Sequence, residues 1–264
     1  MYFLIACVHA VLMFKIKEEE KKARDKEEQK NTIKLYDTLL HSLSHELRTP
    51  IATIIGSVDM LKENKAKLSE ENQADLLTEI NIAGLRLNRQ VENLLSMSRL
   101  ESGMLKLTID WCDMNDLIHS VIQKLPWPKT HILDFIQNDT LPYFKLDSGI
   151  IEQIIHNILH NAIQYTPIHT TIRIQLNAMS TGLQMEISDN GIGFPPQTLP
   201  FVFDKFYRLP HAKSGGSGLG LSIAKGFLEA HQGKIWLENN EQGGASFYIE
   251  IQAETSFLNN LKND

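Results

Sequence analysis

Cysteine is scarce in this chain: Cys7 and Cys112 are its only two among 264 residues, far apart and without paired spacing. That leaves neither a zinc site nor a disulfide framework to propose, and it fits a reducing compartment. Positive charge is not in excess either. A net charge of −6 argues against a general basic surface, so no nucleic acid is expected as a partner. A long hydrophobic run is also missing. The apolar opening MYFLIACVHAVLMF, broken only by His9, spans about 21 Å as a helix, against a hydrocarbon layer of roughly 30 Å. It lacks the basic start and small-residue cleavage site of a signal peptide, which leaves a buried helix or the inner end of a membrane span. Lys15, Lys17, Lys21 and Lys22 follow at once, and basic residues just after an apolar helix mark a cytoplasmic side. Residues 1–16 are therefore expected to be an anchor or truncated transmembrane helix. The expected location is the inner (cytoplasmic) membrane, with the remaining chain facing the cytoplasm.

An apolar fraction of 42% supports a real core, and the length allows one large or two modest domains. Residues 17–32 carry charges of both signs with no Gly or Pro, as in a solvated helical linker. A seven-residue repeat follows through Ile33, Leu40, Leu47, Ile54 and Leu61, with Tyr36 and Leu43 between. On that repeat His45, within SLSHELRTPI, sits between seam positions and points away from the core. Glu46 lies beside it and Thr49 one turn on. Any one of 10 histidines is weak as an isolated signal, but this one is placed to be reached. Pro50 removes a backbone donor and should bend the helix there. After a polar turn, with Ser69 a candidate N-cap, a second helix repeats the pattern through Leu77, Ile80, Gly84, Leu87, Val91 and Leu94. It should stop near Gly103. Two helices with one stripe each cannot enclose a core, so residues 33–104 predict a hairpin that dimerises into a four-helix bundle.

From Met104 the rhythm changes. Leu105, Leu107, Ile109 and Trp111 alternate with polar residues, as do Ile172–Leu176, Leu183–Ile187 and Phe247–Ile251. Helices fall at roughly 113–125, 147–165 and 218–231. The expectation is an α+β chain in which the hairpin precedes an α/β two-layer sandwich over residues 105–254, one sheet covered by helices, with a tail at 255–264.

Three stretches of that domain carry chemistry. Asn157 and Asn161 are four apart on one helix and share a face, so two amide oxygens could bind a hard cation beside phosphate oxygens. A polar helix face is the plainer alternative. In SDNGIGFP, Asp189 ends a strand, and Gly191 and Gly193 let a flat ligand approach the backbone. In KSGGSGLGLSIAK the glycines lead into an apolar helix, where free N–H groups can bind phosphate. It is neither a P-loop nor a Rossmann turn. FDKFYR, before it, reads as a loop anchored by aromatics that presents cations.

The order HELRTP, NILHNAIQYTP, DNGIGFP, FDKFYR, GGSGLGL resembles the H, N, G1, F and G2 boxes of sensor histidine kinases of two-component systems, over residues 33–252. The second domain is similar to the Bergerat (GHKL) ATP-binding fold shared with gyrase, the Hsp90 chaperones and MutL. Some wording around the first and last boxes is similar to potassium-responsive sensor kinases. The resemblance implies ATP and Mg²⁺ as cofactors, a homodimer, and a response regulator receiver domain as partner. His45 would be the phosphoacceptor and Glu46 its general base, and Thr49 would orient a water for dephosphorylating the regulator. Asn157 and Asn161 would hold Mg²⁺. Asp189 would bind the adenine amino group, with Gly191 and Gly193 shaping the pocket and Tyr165 packing beside the base. Arg208 would steady the transferred phosphoryl group, and Gly216, Gly218, Leu219 and Gly220 would form the hinge of a lid over the phosphates.

Two departures stand out. Gln164 occupies a position where the family usually has a basic residue, and no sensor domain is visible. A nucleotide-binding scaffold without phosphotransfer and a plain ATPase of the same superfamily are the alternatives. The His45–Glu46 pair speaks against both.

Overall fold

The computed structural model describes residues 2–63, 68–125, 130–209 and 217–257, and within its first helix the side chains of residues 2–11, 23–25, 27–43 and 45 are not described. The chain divides into two compact units, residues 1–87 and 88–264.

In the first unit, α1 (Tyr2–Glu63) runs as one helix through the charged segment and through Pro50. The seam positions Ile33, Tyr36, Leu40 and Leu43 lie outside the described side chains. Among the described residues no helix is long and apolar enough to cross a membrane. The fold thus lends no support to residues 1–16 as a span. A second helix, α2 (Glu70–Glu101), begins where Ser69 Oγ accepts the Asn72 N–H at 3.2 Å, as the N-cap expectation requires. It closes just before Gly103, whose φ of +63° is the left-handed turn of a helix stop. Within this unit Ser57 Oγ donates to Glu79 across the hairpin at 3.3 Å. Ile51, Ile55 and Met60 on α1, and Leu77, Ile82 and Leu85 on α2, remain exposed.

The second unit contains the end of α2 followed by β1 (Asp110–Cys112), α3 (Met114–Lys124), β2 (Ile132–Ile136), β3 (Tyr143–Leu146), α4 (Ser148–Tyr165), β4 (Thr171–Met179), β5 (Gly182–Asp189), a 3-10 helix (Pro196–Phe201), α5 (Gly220–Ala230), β6 (Lys234–Asn239), β7 (Ala245–Gln252) and β8 (Thr255–Ser256). Five strands form the main sheet in the order β2-β4-β5-β7-β6, antiparallel except for β2 with β4. Strand alternation turns Ile172, Ile174 and Leu176 inward, in register with Met185 and Ile187 and with Phe247 and Ile249. Helices α3, α4 and α5 cover that face, and Ile118, Ile154, Ile155, Ile158, Ile223 and Leu228 complete the core.

A second sheet, β1-β3-β8, was not expected from the sequence. The strand anticipated from Leu105 is regular only at Asp110–Cys112. Leu105 and Leu107 do pack on the core, but the Thr108 N–H is taken by Asp147 Oδ2 at 2.6 Å rather than by a neighbouring strand. Asp147 also caps α4, accepting the Ile150 N–H at 3.1 Å, so one carboxylate fixes both the incoming segment and the helix start. Of the expected tail, residues 258–264 lie outside the described residues.

Candidate functional site

A cleft opens in the second unit beside α4, at the ends of β5 and β7 and the start of α5. Nine of the residues singled out above line it or shape it: Asn157, Asn161, Tyr165, Asp189, Gly191, Gly193, Arg208, Gly218 and Gly220.

Strand parity places Asp189. It follows Leu183, Met185 and Ile187 on the inward face of β5, so its carboxyl turns under the helical layer where the strand ends. It is 8% exposed. Burial pushes its pKa above the ordinary carboxylate value, partly offset by backbone hydrogen bonds from Gly191 and Ala245. The Gly191 N–H donates to Oδ1 at 2.8 Å. Gly193 has φ +67°, and a Cβ there would meet Asn239 Oδ1 and the Gly244 carbonyl at 2.8 Å, so the tight approach of these loops admits only glycine.

Helix periodicity places the amides. Asn157 and Asn161 are one turn apart on α4, and α4 ends at Tyr165 because Thr166 turns extended ahead of Pro167. Asn157 is 6% exposed, and its Nδ2 has no hydrogen-bond partner among the described residues. A buried unmatched donor costs about 1–3 kcal/mol, so its retention beside a cleft points to a ligand. A Cβ on Gly220 would sit 3.9 Å from both amide groups, an ordinary contact distance. The fold therefore does not demand glycine there, and the open space adjoins the amides.

The glycine-rich stretch enters α5 without a side-chain cap. Among the described residues no side chain caps its first N–H groups, which can therefore face a ligand or solvent. Leu219 is fully buried and anchors that turn, while Gly216 lies outside the described residues. Gly218 has φ +66°, and its carbonyl accepts the Phe206 N–H at 3.0 Å, so the FDKFYR loop and the glycine loop are tied together.

On the first unit, His45, Glu46 and Thr49 all lie on α1. The side chain of His45 is outside the described ones, Thr49 is exposed, and Glu46 is 8% exposed. The sequence had placed Glu46 only beside an outward His45. The burial of Glu46, shared by Pro50 four residues on, puts it on a covered stripe.

Residues 36–103 match the family described as His Kinase A (phospho-acceptor) domain, and residues 146–255 match Histidine kinase-, DNA gyrase B-, and HSP90-like ATPase. The chain belongs to the sensor histidine kinases. It is similar to Sensor protein KdpD of Clostridium acetobutylicum, 33% identical over 242 residues, 90% of this chain and 26% of that protein. It is also similar to Sensor histidine kinase WalK of Bacillus subtilis, 32% identical over 217 residues, 80% of this chain and 35% of that one. Among solved structures, histidine kinase ThkA in complex with response regulator protein TrrA aligns at 26% identity with a TM-score of 0.58, over 82% of this chain and 61% of that one. The chain spans about a quarter to a third of the length of these curated relatives.

The match over 146–255 makes the sheet-and-helix part of this histidine kinase an ATP-binding domain. Its cleft holds residues that the sequence did not single out. Arg89 and Asn93 come from α2, His160 from α4, and Ile192, Phe194 and Phe247 supply apolar wall. Ile192 and Phe194, alternating with Gly191 and Gly193, are the local signal of a flat apolar slot, but α2 gives no local hint that it contributes.

Proposed function

We propose that this chain is an ATP-dependent protein-histidine kinase that phosphorylates itself on His45 and passes the phosphoryl group to an aspartate of a response regulator receiver domain. In this reading an imidazole nitrogen of His45 attacks the γ-phosphorus of ATP, the bond to the bridging oxygen breaks, and ADP leaves. Glu46 takes the proton from the other ring nitrogen. Asp189 accepts from the adenine amino group, with Gly191 and Gly193 shaping that pocket and Tyr165 packing beside the base. Arg208 faces the phosphoryl group, and Gly216, Gly218, Leu219 and Gly220 form the lid hinge. Thr49 orients a water for dephosphorylating the regulator.

The observation that supports this most is the convergence in one cleft of a buried carboxylate, two stacked amides and an uncapped helix start. That donor set also fits Mg²⁺. The amide oxygens of Asn157 and Asn161 would hold it, with phosphate oxygens completing the shell, and the unmatched Nδ2 of Asn157 suits a phosphate oxygen. The ion would neutralise charge on the phosphates.

A homodimer is supported by the exposed apolar residues of the hairpin, Ile51, Ile55, Leu77, Ile82 and Leu85 among them. The domain limits proposed are a linker over 17–32, a phosphoacceptor hairpin over 33–104 and an ATP-binding domain over 105–254. Location at the inner membrane, with the catalytic part in the cytoplasm, rests only on the apolarity of residues 1–14 and the lysines after them.

Incubation with γ-labelled ATP and Mg²⁺ should label the protein with an acid-labile, alkali-stable bond. His45→Gln should abolish the label and keep ATP binding. Label persisting on that variant, for instance at His41 or His156, would overturn the assignment.

A further inference from the structure

The loop that carries Asp189 is held at both ends by a turn that lies outside all five motifs named above. β5 and β7 pair in register as far as Ser188 with Ser246. Beyond that pair the chain leaves β5 through residues 189–194, and Asp189 at the start of this loop and Phe194 at its end both line the cleft. The turn from Asn239 to Ala245, which joins β6 to β7, lies against it.

Asn240 Nδ2 donates to the main-chain carbonyl of Asp189 at 3.1 Å, a bond that takes over where the β5–β7 ladder stops. A carbonyl can only accept, so the amide must turn its NH₂ toward it. The Ser246 hydroxyl, shared with Glu186 at 3.0 Å, donates to the Asn240 amide oxygen at 2.8 Å and supports that orientation. From the end of the same turn the Ala245 N–H reaches the carboxylate of Asp189. Gly244 lets the two segments come this close. It holds φ +92°, and a Cβ there would lie 1.9 Å from the Asp189 carbonyl oxygen, which excludes a side chain. At the other end the Asn239 amide pairs with the main chain of Phe194. It accepts that residue's N–H at 2.8 Å and donates to its carbonyl at 2.6 Å, as a neighbouring strand would.

We propose that the β6–β7 turn, through Asn240, positions Asp189 to select a purine by its exocyclic amino group, while Asn239 holds the far end of the same loop. This rests on reading the cleft as the ATP site and Asp189 as its contact to the base. Selection by one carboxylate works only where its direction is fixed, within about 0.5 Å for a productive contact. Asn240 is not among the described residues that line the cleft, so its effect on binding passes through Asp189. It is a positioning residue.

The test is titration of the full chain, in the presence of Mg²⁺, with ATP and with purine riboside triphosphate, which lacks only the amino group of the base. The wild type should bind ATP roughly tenfold more tightly than the amino-free analogue, the effect of one hydrogen bond to a charged group. Asn240→Ala should lose most of that preference by weakening ATP, and should leave the analogue's affinity unchanged. In an Asp189→Asn background Asn240→Ala should add little, because two residues that act through one contact are not additive. Ser246→Ala keeps the amide but removes the hydroxyl that orients it. It should shift the preference in the same direction by less, and it gives the same comparison if Asn240→Ala does not fold. Full preference retained in the variant would overturn the proposal. So would an equal loss for both nucleotides, which would mean that the turn only supports the shape of the cleft. A wild type that bound both nucleotides equally would overturn the base contact at Asp189, and one that bound neither would overturn the nucleotide reading itself.

Discussion

The backbone N–H of Gly191 donates to Oδ1 of Asp189 at 2.8 Å, so the loop leaving β5 fixes the carboxyl at the cleft. Two opposed effects meet at that group. Burial raises its pKa, while N–H donors from Gly191 and Ala245 favour the charged form. A desolvated carboxylate with a fixed direction is a strong acceptor for a ligand N–H, and it is costly to keep when no ligand uses it.

Asp189→Asn should therefore weaken ATP binding by about 1–3 kcal/mol, roughly five- to a hundredfold, as read by calorimetric titration. Because the folded pKa is raised, the group contributes stability at low pH that is lost as pH rises through the folded value. At neutral pH the ionised carboxylate is thus no asset to folding, and the urea midpoint of Asp189→Asn should not fall. Wild-type ATP affinity should decline as pH drops toward that raised pKa, and the variant should lack this decline. A lower midpoint with unchanged affinity would make Asp189 a structural residue.

Asn157 and Asn161 should separate metal-dependent from metal-independent binding. With Asn161→Ala, the gain in ATP affinity from Mg²⁺ over EDTA should disappear. Asn157→Ala should lose much of the same increment. It should also cost less stability than its burial suggests, because its Nδ2 is unmatched among the described residues. An undiminished Mg²⁺ increment in both variants would remove these amides from the metal site.

Much of this cleft could be read from the chain because parity and helical pitch are local. Alternation through Leu183, Met185 and Ile187 fixes the side on which Asp189 emerges, and a spacing of four stacks Asn157 on Asn161. The missed elements are those without such a signature. β2 and β6 are edge strands with half-buried residues and no clean alternation, and β3 has only four residues. Arg89 was missed for a different reason. The seven-residue repeat identifies an apolar stripe on α2, and nothing local reveals that Arg89, Gln90, Asn93 and Ser96 belong to a second, polar contact face. The burial of Glu46 is likewise a tertiary fact.

Gly218→Ala should perturb the loop at the edge of the cleft. A Cβ there would lie 2.7 Å from the Phe206 carbonyl carbon and the Tyr207 carbonyl oxygen, and the residue holds φ +66°. The expected strain is about 1–3 kcal/mol, and opening the Phe206–Gly218 hydrogen bond would relieve it. ATP affinity should drop while the far-UV spectrum stays unchanged, and protease cleavage within residues 203–218 should quicken. Wild-type affinity and cleavage would show that the left-handed turn is dispensable.

Thr49 is expected to separate kinase from phosphatase. It lies one turn beyond His45 on α1, is exposed, and its carbonyl accepts the Thr53 hydroxyl at 3.1 Å. Phosphorylation of His45 needs a nucleophilic ring and a proton acceptor, but no hydroxyl at residue 49. Hydrolysis of an aspartyl phosphate on the regulator needs an oriented water, which a hydroxyl on the same side of the helix can supply. Thr49→Ala should keep autophosphorylation and transfer to a receiver domain while slowing that domain's dephosphorylation. The measurement is decay of the phosphorylated receiver with wild-type or variant chain and ADP present. Equal decay rates, given a wild type that accelerates the decay, would take Thr49 out of the hydrolytic step and leave its hydroxyl without a role in either reaction.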